Sequence, residues 1–193
     1  MRAMQILEHG PASSLRCVEV PVPTPSDGEI LVSVKAAGVN PVDTYIRAGT
    51  NNYAANFPHI PGRDGSGIIA AIGPNVDASL THGQRVYFSG CLTGSAAEYT
   101  MCNAAQIHPL PDCLSFDQGA CLGVPYTTAY RALFGRARAQ EGNTVMIHGA
   151  SGGVGLACVQ LCVAHNIDVV GTAGSEEGML LVQVSAVLPV KFL

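Results

Sequence analysis

The residues with the clearest chemical potential are His148-Gly149-Ala150-Ser151-Gly152-Gly153-Val154-Gly155. They end one apolar run, TVMIHGA, and open another, GGVGLACVQLCVAH, so the glycines fall at a strand-to-helix turn. The spacing is A-x-G-x-x-G. Ala150 takes the first position, Gly152 the position where backbone must approach a pyrophosphate, and Gly155 the position where helix packs on strand. The helix N-terminus would then present free N–H groups and the positive end of its dipole to the phosphates. A turn whose glycines serve tight packing alone is the other reading of the same residues. A dinucleotide fold that prefers NAD carries an acid at the end of the next strand, where it holds the ribose 2′-OH. Here Gly171-Thr172-Ala173-Gly174 stands there. A glycine in place of the carboxylate removes both bulk and charge repulsion against a 2′-phosphate, which favours NADP. Glu176 and Glu177 follow at once, and the next basic residue is Lys191, so the residues alone leave that phosphate without a cationic partner.

Two textures of sequence must position this turn. Up to about residue 110 the chain reads as short β-type runs, AMQILE, LRCVEV, EILVSVKAAGV, GIIAAIG, QRVYF and AEYTMC, interrupted by PVPTPSDGE and NFPHIPGRDG. That predicts a small irregular barrel or sandwich. From Ser115 the period turns helical, with one helix expected over Asp117 to Phe134, then strand, helix and strand in βαβ order. The boundary is placed near residue 115, in the loop Asp112 to Asp117, giving a domain over 1–115 and a second over 116–193.

The 193 residues are 48% hydrophobic and 12% charged, enough for a sizeable core and incompatible with a disordered chain. The net charge is −4 and no basic run could track a phosphate backbone, which argues against nucleic acid as the main partner. No stretch reaches the ~18 apolar residues of a membrane span. The start, MRAMQILEHG, lacks the apolar core of a signal peptide, so a cytoplasmic location is expected. Seven scattered cysteines without C-x-x-C read as reduced thiols, with Cys158 and Cys162 packing one helix face on a sheet. The six histidines have no metal-ligand spacing.

GVNPVDTYIRAG (38–49), IPGRDGSG (60–67), GVPYTTAYRAL (123–133), HGASGGVGLA and GTAGSEEG resemble the zinc-independent, zeta-crystallin-like quinone oxidoreductases of the medium-chain dehydrogenase/reductase superfamily. The resemblance runs nearly unbroken from Met1 to about Gly178. It implies a β-rich GroES-like barrel domain followed by an α/β Rossmann-type domain, here truncated, with NADPH and substrate in the cleft between them. The zinc-dependent branch places a Cys where this chain has Asn40 and a His where it has Arg63. Neither replacement can ligate Zn²⁺, and the four-cysteine structural lobe is missing, so no metal is expected.

Without a Lewis acid to polarise a carbonyl, a quinone is the acceptor that needs least help. The resemblance implies NADPH-dependent, one-electron reduction of quinones, orthoquinones among them, yielding semiquinones. By it, Tyr45 lines the nicotinamide and substrate cleft, touching cofactor or donating a hydrogen bond to a quinone oxygen. By the same resemblance Asn40 orients polar groups there, Thr128 touches the nicotinamide, Ser151, Gly152, Gly153 and Val154 form the pyrophosphate turn, and Gly174 meets the adenosine ribose. From the residues alone, each has a plainer role. Tyr45 could cap the barrel edge, Asn40 could simply precede Pro41 in an extended turn, and Thr128 could bond its own helix backbone.

After Gly178 the resemblance stops, and the family's polar helix gives way to MLLVQVSAVLPVKFL. A substitute C-terminus from splicing or a frame shift is the expectation, leaving a partial Rossmann domain whose first strand has a bare edge unless VQVSAV pairs with it. Two further functions follow as alternatives. One is a non-catalytic isoform that acts by binding, through sequestering subunits of homo-oligomeric relatives or weakly contacting RNA. The other is a zinc-free enoyl-thioester reductase.

Overall fold

In the computed structural model, which describes residues 1–185 and 191–192, the punctuated runs of the first half become strands. These are β1 (Arg2–Gln5), β2 (Arg16–Glu19), β3 (Glu29–Ala37), β4 (Asp64–Ile72), β5 (Arg85–Ser89), β6 (Tyr99–Asn103) and β7 (Ile107–Pro109). β1 and β2 pair with each other, and the rest form an antiparallel sheet in the order β6-β3-β4-β5-β7. Inward residues of alternating strands build its core: Ile30, Val32, Ile69, Val86, Phe88, Cys102 and Ile107. Burying a side chain such as Phe88 contributes about 1.5–3 kcal/mol over leaving it exposed. β3 shifts register against β4 between Val34 and Ala36. The opposing glycines permit that approach, because a Cβ on Gly65 would lie 2.7 Å from the Ala36 carbonyl and one on Gly67 2.2 Å from that of Ser33.

A helix that the sequence pattern does not announce, α1 (Pro41–Ala48), lies between β3 and β4. Pro41 starts it with φ already set, the Asn40 N–H donates to the Asp43 carboxylate at 2.8 Å, and Gly49 ends it in the left-handed region at φ 68°. The single helix expected over Asp117 to Phe134 is divided into α2 (Phe116–Ala120), α3 (Gly123–Tyr130) and a π-helical turn over Arg131–Arg136. Pro125 explains the restart. It has no N–H to give a continuous helix, but it fits the first turn of a new one. The Asp64 carboxylate accepts the Val124 N–H at 2.8 Å at that new start.

The chain divides into compact units at Val124/Pro125. The loop 112–117, at which the sequence suggests a boundary, lies inside the first unit. The reason is that α2 packs on β3, β4 and β5, with the Ser66 hydroxyl donating to the Phe116 carbonyl.

In the second unit β8 (Thr144–Ile147), α4 (Gly153–Ala164) and β9 (Asp168–Gly171) form a parallel βαβ unit. α4 carries one polar side chain, Gln160, in twelve residues, and its Ala157, Val159 and Cys162 are buried with Ile147, Ile167 and Val169. α5 (Glu176–Ser185) runs through Gly178 without a break and adds the fully buried Val182 to this core, while Leu180, Leu181 and Val184 stay exposed. The pairing of VQVSAV with the sheet, left open by the sequence, is not made by its first four residues. Val182 to Ser185 are helical because Val182 packs inward, and residues 186 and 187 lie outside the described residues. β10 (Lys191–Phe192) pairs in parallel with β9, giving the order β10-β9-β8. β8 has β9 on one side and, among the described residues, no strand on the other.

Candidate functional site

The glycine-rich turn has a definite shape in the second unit. Gly149 adopts φ 65°. Thr172, just past β9, secures the turn: its hydroxyl accepts the Gly149 N–H at 3.1 Å and its carbonyl accepts the Ala150 N–H at 2.8 Å. Gly155 is sterically required, since a Cβ there would lie 2.3 Å from the Gly149 carbonyl oxygen. Gly152 and Gly153 are different. Both are exposed, and a Cβ on either would meet nothing closer than 3.4 Å. The N–H groups of Ser151, Gly153 and Val154 have no partner among the described residues, as expected for the first turn of α4. This is open, donor-rich backbone at a helix N-terminus, which fits a pyrophosphate. Gly174 is exposed, and a Cβ there would have nothing within 4 Å. Glu176 and Glu177 are exposed in the first turn of α5.

In the first unit the polar residues gather at the start of α1. Asn40 is buried, extended at φ −119°, and its Nδ2 donates to Asp64 Oδ1 at 2.8 Å. Asp64 is fully buried and its second oxygen holds Val124. Gly38 and Gly123 leave room for this carboxylate, because their Cβ atoms would come within 2.2 Å of Asp64 Oδ1 and 2.6 Å of Asp64 Cβ. Burial pushes the Asp64 carboxyl above the usual carboxylate range, against the pull of the Val124 and Asn40 hydrogen bonds. Asp43 is buried and raised in the same direction by desolvation, opposed by the Asn40 amide, the charges of Arg63 and His59, and the nearby Gly62 amide. Burial lowers His59, and Asp43 opposes that shift. Asp43, His59 and Arg63 line a cavity of about 510 Å³ in this unit.

Tyr45 projects from α1, partly exposed, its ring stacked on Tyr53 with centroids 6.2 Å apart and planes at 27°. Sequence reasoning missed Tyr53 as a candidate, as it did Asp43, His59 and Arg63. The signal for Tyr53 lies in its turn: Gly49, Asn51 and Asn52 all take left-handed backbone, folding the chain back on α1. Thr128 is exposed on α3 and its hydroxyl makes no hydrogen bond among the described residues, so it does not serve its own helix. All seven cysteines are free, and burial pushes the Cys162 thiol up to about 11. Among the described residues no group of three or more His, Cys, Asp or Glu is placed to hold a metal ion.

Residues 26–112 match the alcohol dehydrogenase GroES-like domain family. The chain is 48% identical over 183 residues to a quinone oxidoreductase of Mus musculus, an alignment that takes in 94% of this chain and 55% of that protein. Over nearly its whole length the chain is similar to quinone oxidoreductases, with a GroES-like domain over residues 26–112. Solved structures agree. The mycobacterial Rv1454c protein complexed with NADPH matches at a TM-score of 0.89 and 31% identity, covering all of this chain and 58% of that one. Escherichia coli quinone oxidoreductase, also complexed with NADPH, matches at 0.86 and 27%, covering 99% of this chain and 58% of that one. The chain therefore spans a little over half the length of the relatives it matches. The GroES-like fold accounts for the first sheet and a Rossmann-type fold for the βαβ unit. No helix among the described residues is long and apolar enough to cross a membrane.

Proposed function

We propose that this chain carries the NADPH-binding turn and the quinone-facing barrel of a zinc-independent quinone oxidoreductase that reduces quinones, orthoquinones among them, one electron at a time. The observation that supports it most is the turn Gly149–Val154, where three N–H groups without partners stand beside two unobstructed glycines. Two NADPH-complexed structures among the similar proteins support the same cofactor. NADPH, when bound, supplies the reducing equivalents. The roles left to this chain are binding and orientation. Ser151, Gly153 and Val154 hold pyrophosphate by backbone donors, Gly152, whose own N–H is bonded to the Gly149 carbonyl, lets it approach, and Gly174 leaves space for a 2′-phosphate. Tyr45 and Tyr53 present a stacked aromatic surface to a quinone ring, with the Tyr45 phenol free to donate to a quinone oxygen. Thr128 offers an unengaged hydroxyl toward the nicotinamide. Asn40 acts as a positioning residue, since its amide is committed to Asp64.

Titration of the purified chain with NADPH, with NADH as comparison and a thermal melt in parallel, tests the reading. Saturable NADPH binding tighter than NADH, with a raised melting temperature, is expected; turnover of an orthoquinone is then assayed on the same sample. Absence of NADPH binding up to millimolar concentration in a folded chain would sink it.

A further inference from the structure

The second unit carries a surface that neither the glycine-rich turn nor the quinone reading uses. Three of the chain's ten lysines and arginines, Arg131, Arg136 and Arg138, fall within eight positions, and no aspartate or glutamate stands between Asp117 and Glu141. All three are exposed, and none makes a hydrogen bond or an ion pair among the described residues. Glu141, the acid nearest in sequence, is engaged by the Asn166 amide at 3.3 Å.

The backbone brings these charges together. On an α-helix, residues five apart point about 140° away from each other. Here the turn is π-helical, closed by the Ala137 N–H on the Ala132 carbonyl at 2.9 Å, and i→i+5 bonding sets Arg136 nearly above Arg131. Arg138 follows in the left-handed region at φ 53°, which residues other than glycine seldom adopt, while the Ala139 N–H returns to the Leu133 carbonyl at 2.9 Å. Like charges on one side of a short turn repel. Two uncommon backbone conformations thus hold a repulsive arrangement in place, with no counter-charge from the described residues. Beside it Tyr130 is exposed, its ring centroid 5.0 Å from that of Phe134, which in turn lies 4.7 Å from the His165 ring. Tyr130 is therefore an aromatic platform, braced from behind, next to the cationic turn.

Guanidinium forks match carboxylates and phosphates. On open surface a lone small anion is screened and gains little, whereas a segment with several carboxylates engages all three arginines together. A nucleic-acid backbone fits less well, because three cations on a chain of net charge −4 give it little electrostatic hold. We propose that Tyr130, Arg131, Arg136 and Arg138 form a docking surface for an acidic protein segment, its carboxylates on the arginines and an aromatic side chain on Tyr130. The surface lies wholly within the second unit and needs neither NADPH nor quinone.

Fluorescence anisotropy of the whole chain with a short labelled peptide of glutamates around one phenylalanine tests it. Saturable binding that weakens as salt rises is expected, and a peptide with glutamine in place of glutamate should not bind. Arg131→Glu and Arg136→Glu should each weaken binding by about fivefold, losing one contact and adding a repulsion, and replacing the peptide's phenylalanine by alanine should weaken it by about threefold. Arg16→Glu makes the same change of charge on an exposed arginine of the first unit and should leave the affinity unchanged. The urea midpoint of each variant should stay at the wild-type value, since all these arginines are exposed. Absence of saturable binding at low salt, undiminished affinity in Arg131→Glu and Arg136→Glu or for the alanine peptide, or an equal loss in Arg16→Glu overturns the surface. So does tighter binding of an oligouridylate of the same charge, which would make the patch a nucleic-acid site.

Discussion

Gly155 and Gly174 both stand at positions on which the proposed cofactor site depends, yet only Gly155 is held by sterics. Gly155→Ala would drive a methyl to 2.3 Å from a backbone oxygen and should cost about 1–3 kcal/mol, read as a lowered urea midpoint. Gly174 has open space and an ordinary φ, so Gly174→Asp should leave that midpoint unchanged. It restores the acid that holds a ribose 2′-OH and should shift preference from NADPH toward NADH by about tenfold or more, as measured by parallel titrations. Asp64 makes a third prediction at this scale. Its carboxyl lies above the usual value of 3.8 in the folded chain and at that value when unfolded. The native state therefore holds the proton more tightly, so the stability this group contributes is present below pH ~4 and lost as pH rises through the raised native value. Asp64→Asn cannot titrate but keeps an acceptor for the Val124 N–H. Urea midpoints across a pH series should show wild type losing ground relative to Asp64→Asn as pH rises from about 4 toward neutral. Parallel curves would contradict the assignment.

Helix starts decide much at the level of elements, and they are made by side chains three residues apart. Ser115 and Gln118 bond each other's backbone N–H groups at 3.1 and 2.8 Å, the reciprocal arrangement that starts α2. Ser115→Ala should cost about 1 kcal/mol, visible as a small drop in unfolding midpoint with the folded spectrum unchanged. α1 relies on the same device, with Asp43 holding the Asn40 N–H, but eight residues are too few to show a convincing apolar period. That is why the β-runs and the βαβ order were legible in the sequence while α1 was not. The division of 117–134 was only partly legible. Pro125 marks the break within an otherwise helical pattern, but the acceptor for the Val124 N–H at the new start is Asp64, sixty residues upstream. Tyr45 was readable as a candidate, whereas its partner Tyr53 depended on three left-handed residues folding the chain back.

For the whole molecule, the division at Val124/Pro125 makes a prediction about fragments. A chain ending at residue 124 keeps α2 on the sheet and the Val124–Asp64 hydrogen bond; one ending at 115 loses both and leaves Asp64 Oδ2 buried without its amide. The longer fragment should unfold cooperatively at a clearly higher urea midpoint than the shorter. The sequence by itself determined the β-rich first half, the strand-turn-helix placement of the glycines and the small residue at 174, because all of these are local patterns of residue type and spacing. Only the tertiary structure decided which polar groups are satisfied. Asp64 is satisfied because Asn40 and Val124 converge on it. Hydrogen-bond satisfaction in a buried cluster is a property of three-dimensional neighbours, and these come from segments 24 and 60 residues apart.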